Sequence, residues 1–141
     1  MPNEDLIFNT VRDLDDYEEA AAAIIELKYR NQQTALELAM EILRDKCGDS
    51  HFQAGAFEIL YSIDRPTGLE FICANVKDAN LILLKSMIEC VTEDSSLSDS
   101  QPEILKAARE VKKATERLSP HDRSKILESL EWLHASFPED N

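Results

Sequence analysis

Residues 34–40 read Thr-Ala-Leu-Glu-Leu-Ala-Met, and residues 67–73 read Thr-Gly-Leu-Glu-Phe-Ile-Cys, 33 positions further along the chain. Both stretches space their apolar residues as an amphipathic helix does. A second match follows at an offset of 31, where residues 57–60 (Phe-Glu-Ile-Leu) align with residues 88–91 (Ile-Glu-Cys-Val). An offset of about 30 to 35 residues is typical of helical hairpins that stack side by side, so the two matches predict a repeat.

The composition also favours helices. The chain has 141 residues but only 3 Gly and 5 Pro, whereas a sheet protein with many turns uses more of both. Ala, Leu, Glu and Lys are abundant, and all four favour helix. We therefore predict an all-α protein of about eight helices, the first within residues 1–14, that forms a single domain over residues 1–141.

Residues that favour helix ends divide the chain. Gly48 is expected just beyond a helix C-terminus, where a left-handed conformation suits glycine. Ser119-Pro120 is an N-cap followed by proline at the first helical position, and it opens a last helix that runs to Phe137. The other expected helix starts are Asp15 or Asp16, Asn31 or Thr34, Asp49 or Ser50, Pro66, Asp78 and Gln101.

The apolar residues of each helix predict its buried face. Ile24, Ile25 and Leu27 belong to the face of the second helix, and Met40 to that of the third. The cysteines, Cys47, Cys73 and Cys90, are odd in number and include no Cys-x-x-Cys pair, which argues against a disulfide framework and a zinc site. We expect them to be buried as small apolar residues of a cytoplasmic protein.

The charge balance limits the classes of partner. With 28 acidic and 15 basic side chains the formal net charge is -13, which disfavours nucleic acids and anionic membranes. A basic protein would be attracted and captured faster. The alternative is that the acidity only keeps the protein in solution. No apolar run can span a bilayer and no signal peptide precedes the first helix, so we expect a cytoplasmic protein that is monomeric when free.

The charges are unevenly distributed. Residues 1–26 hold eight acidic side chains against Arg12 alone, and residues 93–102 form an acidic, Ser-rich segment that we expect to be an exposed loop. Residues 104–125 reverse the sign with seven basic side chains, which we interpret as an ordinary solvated face. Glu58 and Glu89 occupy equivalent positions of the repeat. The candidate partner-binding residues are Asp13, Asp15, Asp16, Glu19, Glu58, Glu89, Glu93 and Asp94.

Catalytic motifs are missing. The chain has no nucleotide-binding glycine loop, no zinc-protease motif and no nucleophile elbow. Glu131 and His134 form one Glu-x-x-His, but di-iron bundles need two such motifs and two further glutamates. We therefore predict a protein that is not an enzyme and that has no catalytic residue, no cofactor and no metal site.

Residues 31–94 resemble degenerate HEAT-type repeats. The resemblance implies stacked antiparallel helical hairpins, a HEAT-like α-solenoid in which residues 1–30 and 101–137 supply the end pairs. Two amphipathic hairpins of an ordinary helical bundle would also align to this extent, so a bundle is the alternative.

The small, acidic, helical chain is also similar to the immunity proteins that bacteria encode beside toxins. This resemblance implies a cytoplasmic protein that binds one cognate, basic toxin, often a nuclease, and covers its active or substrate-binding site. The alternative is a helical-repeat scaffold or adaptor that recruits a cellular protein or peptide into an apolar groove without catalysis. An enzyme or metal protein ranks last.

Overall fold

Every regular element that the computed structural model describes is helical. The structure describes residues 17–138, except for the side chains of residues 17–19 and 21. This range contains no strand, which confirms the prediction of an all-α protein. The α-helices are α1 (Tyr17–Arg30), α2 (Gln32–Asp45), α3 (Ser50–Ile63), α4 (Arg65–Asn75), α5 (Leu81–Glu93), α6 (Pro102–Glu116), α7 (Pro120–Lys125) and α8 (Leu127–Ser136).

The described range has eight α-helices, but they are not the predicted eight. The helix predicted within residues 1–14 lies outside the described residues. The single helix predicted from Ser119 to Phe137 is wrong, because α7 and α8 are separated at Ile126. Ile126 has non-helical φ and ψ values of -123° and 27°, and its side chain is buried. Isoleucine is β-branched and therefore has a slightly lowered helix propensity, so interrupting the helix at this residue costs little helix stability.

Side-chain caps fix where four helices begin. Asn31, Asp49 and Ser119 accept hydrogen bonds from the backbone N–H groups of α2, α3 and α7, which confirms these three expected starts. The start expected at Asp78 is wrong. Residues Val76–Asp78 form a one-turn 3-10 helix, and Asn80 caps α5 instead by accepting from the N–H of Leu83 at 2.9 Å.

The C-terminus of α2 has two residues with positive φ. Lys46 is the C-cap, with a φ of 52°, and its backbone N–H donates to the carbonyl of Ile42. Gly48 has a φ of 75° but lies two residues beyond this cap. A Cβ atom at Gly48 would lie 2.6 Å from Cδ2 of Phe52, so both its backbone conformation and its surroundings require glycine.

The chain divides into two compact units, Met1–Arg65 and Pro66–Asn141. In the first unit, α1, α2 and α3 pack against one another. Buried apolar side chains come from all three helices, and the rings of Phe57 and Tyr61 lie 5.9 Å apart at a tilt of 44°. The single helical-repeat domain stays a prediction.

In the second unit, α5 packs against both α6 and α8. Residues Val76–Asp78 and a second 3-10 helix, Ser95–Leu97, both lie against α6, and α7 contacts α8. Met87, Ile88 and Val91 of α5 are fully buried, as its wide apolar surface predicts for a central helix. No helix among the residues that the structure describes has the length and apolarity needed to cross a bilayer.

Candidate functional site

The first unit has an open groove between α1 and α3, with a volume of about 410 Å³. We call it the α1–α3 groove. Ile24, Phe52, Ala56 and Ile59, all buried, form part of its apolar lining. An open apolar concavity of this size can hold a side chain or a short helical segment of another molecule. The other lining residues are Ile25, Lys28, Tyr29, Ile42, His51, Gly55, Glu58 and Ser62.

Helix periodicity explains how α3 contributes to the groove. Phe52, Gly55, Ala56 and Ile59 follow the i, i+3, i+4, i+7 spacing and therefore lie on one face of α3. Gly55 is the gap in this face, because a Cβ atom built there would meet no atom within 4 Å. The space at this position is therefore real, and a larger side chain at residue 55 would extend into the groove.

Two large apolar side chains of α1 stay uncovered beside the groove. Ile25 is 50% exposed and Tyr29 is 80% exposed, and their i, i+4 spacing places them on one face of α1. The prediction that Ile25 is buried is wrong, and so is the prediction for Met40 of α2, which is 45% exposed. Ile24 and Leu27 are buried as predicted, because they point toward the core that α1 shares with α2 and α3.

Polar side chains surround the apolar lining. Glu58 and His51 are exposed on α3, and their spacing of seven residues places them two turns apart on one face. On α1, the ammonium of Lys28 lies 5.8 Å from the centroid of the Tyr29 ring, within cation–π range. The groove therefore combines an apolar lining with one acidic and one basic group, so a partner would meet both charge signs at its edge.

Glu58 is the predicted partner-binding residue that the structure places at this groove. Glu89, its equivalent in the repeat, has a different environment in the second unit. Its side chain is 34% exposed, forms an ion pair with Lys85 at 3.0 Å and accepts a hydrogen bond from Ser129. The two glutamates therefore share a repeat position but differ in burial, because Glu58 is exposed and Glu89 is half-buried.

The remaining predicted acidic residues are placed as follows. Glu93 is exposed at the last position of α5, one turn after Glu89. Asp94 is the half-buried C-cap of the same helix, and Ser95–Leu97 gives the acidic segment a helical turn that the loop prediction lacked. Asp13, Asp15 and Asp16 lie outside the described residues, as does the side chain of Glu19.

Residues with potential for metal or thiol chemistry do not converge. Glu131 and His134 are both exposed on α8, and in the described range no three His, Cys, Asp or Glu side chains are grouped as metal ligands. Cys47, Cys73 and Cys90 are half-buried and form no disulfide, so the expectation of full burial is wrong. Burial raises the pKa of the Cys73 thiol, whereas the charge of Lys106 opposes the rise.

Sequence reasoning missed Ile25 and Tyr29 as candidate binding residues. A signal was present, because Tyr29 stands between Lys28 and Arg30 at the polar end of α1 and shares a face with Ile25. An aromatic residue there extends the apolar stripe beyond the part that a neighbouring helix can cover. No family model, curated protein or solved structure matches the chain.

Proposed function

We propose that this chain is a binding protein that holds an apolar side chain of a partner protein in the α1–α3 groove. The observation that carries the proposal is the pair Ile25 and Tyr29, half-exposed and largely exposed beside an open apolar groove. Tyrosine is enriched among residues that dominate binding energy, because it offers a large apolar area with few rotatable bonds. Packing within the core of the first unit does not explain why the Tyr29 ring is exposed to solvent.

The partner is a basic protein. A net charge of -13 attracts cations at long range, and Glu58 supplies a carboxylate at the groove itself. Electrostatic attraction of this kind speeds association and loses strength as salt increases. Glu93 and Asp94, with the acidic residues between 13 and 19, extend the same attraction to other parts of the chain.

The resemblance to immunity proteins indicates which class of protein the partner belongs to. Under this proposal the partner is a cognate protein toxin, and the chain neutralises it in the cytoplasm by covering its active or substrate-binding site. Cys47, Cys73 and Cys90 are in no disulfide in the described part of the chain, which is compatible with a reducing compartment. Neutralisation by coverage needs no catalytic residue, cofactor or metal, so a site without converging reactive groups can serve it.

An adaptor is the second candidate function, and the lining of the groove favours it. An adaptor that recruits a peptide needs an apolar groove with a few charges at its rim, and the α1–α3 groove has this composition. The two candidates use the same surface and differ in what the bound partner does. Growth of cells that carry the partner separates them, since only a toxin makes the cells depend on this chain.

The proposed architecture is a degenerate array of HEAT-like hairpins, in which α2–α3 and α4–α5 are two copies of one repeat. Four pairs of equivalent positions support it, because both members of each pair are buried. Three other aligned apolar pairs differ, because one member of each is buried and the other half-buried: Leu36 and Leu69, Leu38 and Phe71, and Ile59 and Cys90. The buried pairs are Ala35 and Gly68, Ala39 and Ile72, Phe57 and Ile88, and Leu60 and Val91.

Filling the groove tests the proposal. Gly55→Leu places a helix-favouring side chain in the space beside Ala56 and should leave the fold intact, because nothing lies within 4 Å of the new Cβ. Ile25→Glu changes the exposed rim, and Met40→Glu is its control, since Met40 is exposed to a similar extent but does not line the groove. Binding is measured by calorimetry with the purified product of the neighbouring gene.

The expected results are specific to the groove. Gly55→Leu and Ile25→Glu should each weaken binding by roughly 30-fold or more, the loss typical of a residue that contributes about 2 kcal/mol. Met40→Glu should bind as the wild type does. If Gly55→Leu and Ile25→Glu bind the partner as tightly as Met40→Glu does, the α1–α3 groove is excluded as the binding site. A neighbouring product that binds and that stops growth unless this chain is present supports the toxin; one that binds and is harmless supports the adaptor.

A further inference from the structure

The second unit has a small pocket whose charge is opposite to that of the chain as a whole. It has a volume of about 330 Å³ and lies between α6 and the end of α8. Leu105, Ala108, Phe137 and Pro138 provide its apolar part. Its charged residues are Arg109, Lys112, Lys113 and Glu116, so three cations and one carboxylate line it.

Helix periodicity explains why the cations collect there. Leu105, Arg109, Lys112 and Glu116 follow the i, i+4, i+7, i+11 spacing, which forms a stripe along one side of α6. This stripe borders the buried face of the helix, which includes Ala108 and so places apolar carbon next to the charges. We call the surface formed by these residues, Lys113, Phe137 and Pro138 the α6–α8 face.

The three cations of this face differ in how they are engaged. The ammonium of Lys112 donates a hydrogen bond to the backbone carbonyl of Phe137, the C-cap residue of α8. The ammonium of Lys113 lies 3.3 Å from the carboxylate of Glu110. Arg109 is exposed and forms no ion pair with any residue in the described part of the chain. An arginine guanidinium can bind a carboxylate through two parallel hydrogen bonds.

We propose that the α6–α8 face is a second binding site, which takes an acidic segment of another protein that carries an apolar side chain between its carboxylates. One carboxylate pairs with Arg109, and the apolar side chain lies on Leu105, Ala108 and Phe137. A polyanion such as nucleic acid fits less well, because Glu116 lies on the same stripe and the chain as a whole repels dense negative charge. The α1–α3 groove shares no residue with this face, so the inference goes beyond the proposed function and does not depend on it.

The test uses the full chain and a defined probe, a fluorescein-labelled synthetic hexapeptide of alternating glutamate and leucine. Two control peptides have lysine in place of glutamate, or serine in place of leucine. Fluorescence polarisation at low and moderate salt measures affinity, and amide chemical shifts locate the bound peptide. Arg109→Glu is the informative variant, and Lys106→Glu is its control, because it makes the same charge change on α6 outside the pocket.

We expect the acidic peptide to bind and both control peptides to bind at least about fivefold more weakly. Arg109→Glu should lower the affinity roughly tenfold, whereas Lys106→Glu should lower it less than twofold. Arg109→Gln, which removes the charge without reversing it, should give an intermediate affinity. Circular dichroism confirms that each variant is folded.

Several outcomes would overturn the proposal. One is absence of binding at millimolar peptide, and another is equal affinity for the acidic and the basic peptide. The proposal would also be overturned if Arg109→Glu and Lys106→Glu lowered the affinity equally, or if the peptide changed amide chemical shifts away from the α6–α8 face. Residues 139–141, which follow Pro138 and include Glu139 and Asp140, are another possible occupant. If only a variant without residues 139–141 binds the peptide, the chain's own tail is the ligand and the proposed partner is excluded.

Discussion

The hydroxyl of Ser129, on α8, donates a hydrogen bond to the carboxylate of Glu89, on α5, with 3.3 Å between Oγ and Oε1. The same carboxylate lies 3.0 Å from the ammonium of Lys85, one turn earlier on α5. Ser129 is buried, and the Glu89 carboxylate accepts the hydrogen bond of its hydroxyl. A residue that resembles Glu58 in the repeat therefore connects two helices of the second unit.

Substitution of the two glutamates should affect the stability of the fold to different extents. Glu89→Ala is expected to lower the free energy of unfolding by about 1–2 kcal/mol, because it leaves the buried hydroxyl of Ser129 without its acceptor. Glu58→Ala changes an exposed side chain and should stay within about 0.5 kcal/mol of the wild type. Urea denaturation of both variants provides the measurement. Lys85→Ala is the control for the ion pair, which is too exposed to contribute much. A Glu89→Ala protein as stable as Glu58→Ala would contradict the structural role.

Substitution of two glycines by alanine should change the free energy of unfolding in opposite directions. Gly48→Ala is expected to destabilise the protein by roughly 1–2 kcal/mol, because the left-handed backbone disfavours a Cβ atom and Phe52 occupies its place. Gly55→Ala should stabilise it by about 0.5–1 kcal/mol, since alanine favours the helix interior and the new methyl group meets no atom. Thermal or urea unfolding measures both changes. Destabilisation by Gly55→Ala would mean that the space beside this residue is occupied.

Thr92 should tolerate loss of its hydroxyl. Its Oγ1 is buried at the C-terminal end of α5 and has no hydrogen-bond partner among the described protein atoms. Thr92→Val keeps the shape and removes the polar atom, so the variant should be as stable as the wild type or up to about 1 kcal/mol more stable. Thr92→Ala should be less stable than Thr92→Val, because it also leaves a cavity. Denaturant midpoints rank the three proteins, and a Val variant well below the wild type would show that the hydroxyl is bonded.

The pKa of the Cys73 thiol should lie above that of an ordinary cysteine. Burial raises its pKa above the usual 9.0, Lys106 lowers it and Glu110 raises it. The folded protein therefore favours the protonated Cys73 thiol. The contribution of this preference to the free energy of unfolding is present below about pH 9 and is lost as the pH rises through the raised pKa. Alkylation by iodoacetamide across this range, in a variant with serine at Cys47 and Cys90, gives the pKa. Lys106→Ala should raise it further and Glu110→Gln should lower it; opposite shifts would contradict these causes.

Local sequence accounts well for the helices and their ends. Asn31, Asp49 and Ser119 were identifiable as caps because a short polar side chain before an apolar periodic stretch can satisfy the first free N–H groups of a helix. The error at Asp78 has a local cause as well. Val76–Asp78 forms a separate 3-10 turn, and Asn80, two residues later, is equally suited to cap α5.

The candidate site was much less predictable. Glu58 was identified from the repeat, but Ile25, Tyr29 and Gly55 were not, and they give the α1–α3 groove its rim and its depth. Periodicity shows which residues share a face of a helix and does not show how much of that face a neighbour covers. Ile24 and Ile25 are adjacent and equally apolar, yet one is buried and the other is half-exposed.

The sequence by itself determined that the protein is all-α, where most helices begin, and that its charge is strongly negative, because these properties depend on residue type and short-range spacing. Only the tertiary structure decided which apolar side chains stay uncovered and which carboxylates are engaged. Ile25 is half-exposed at the groove although its neighbour Ile24 is buried, and Glu89 is held by Ser129 and Lys85. The physical reason is that burial and hydrogen bonding depend on residues that are distant in sequence, here 40 positions apart for Glu89 and Ser129.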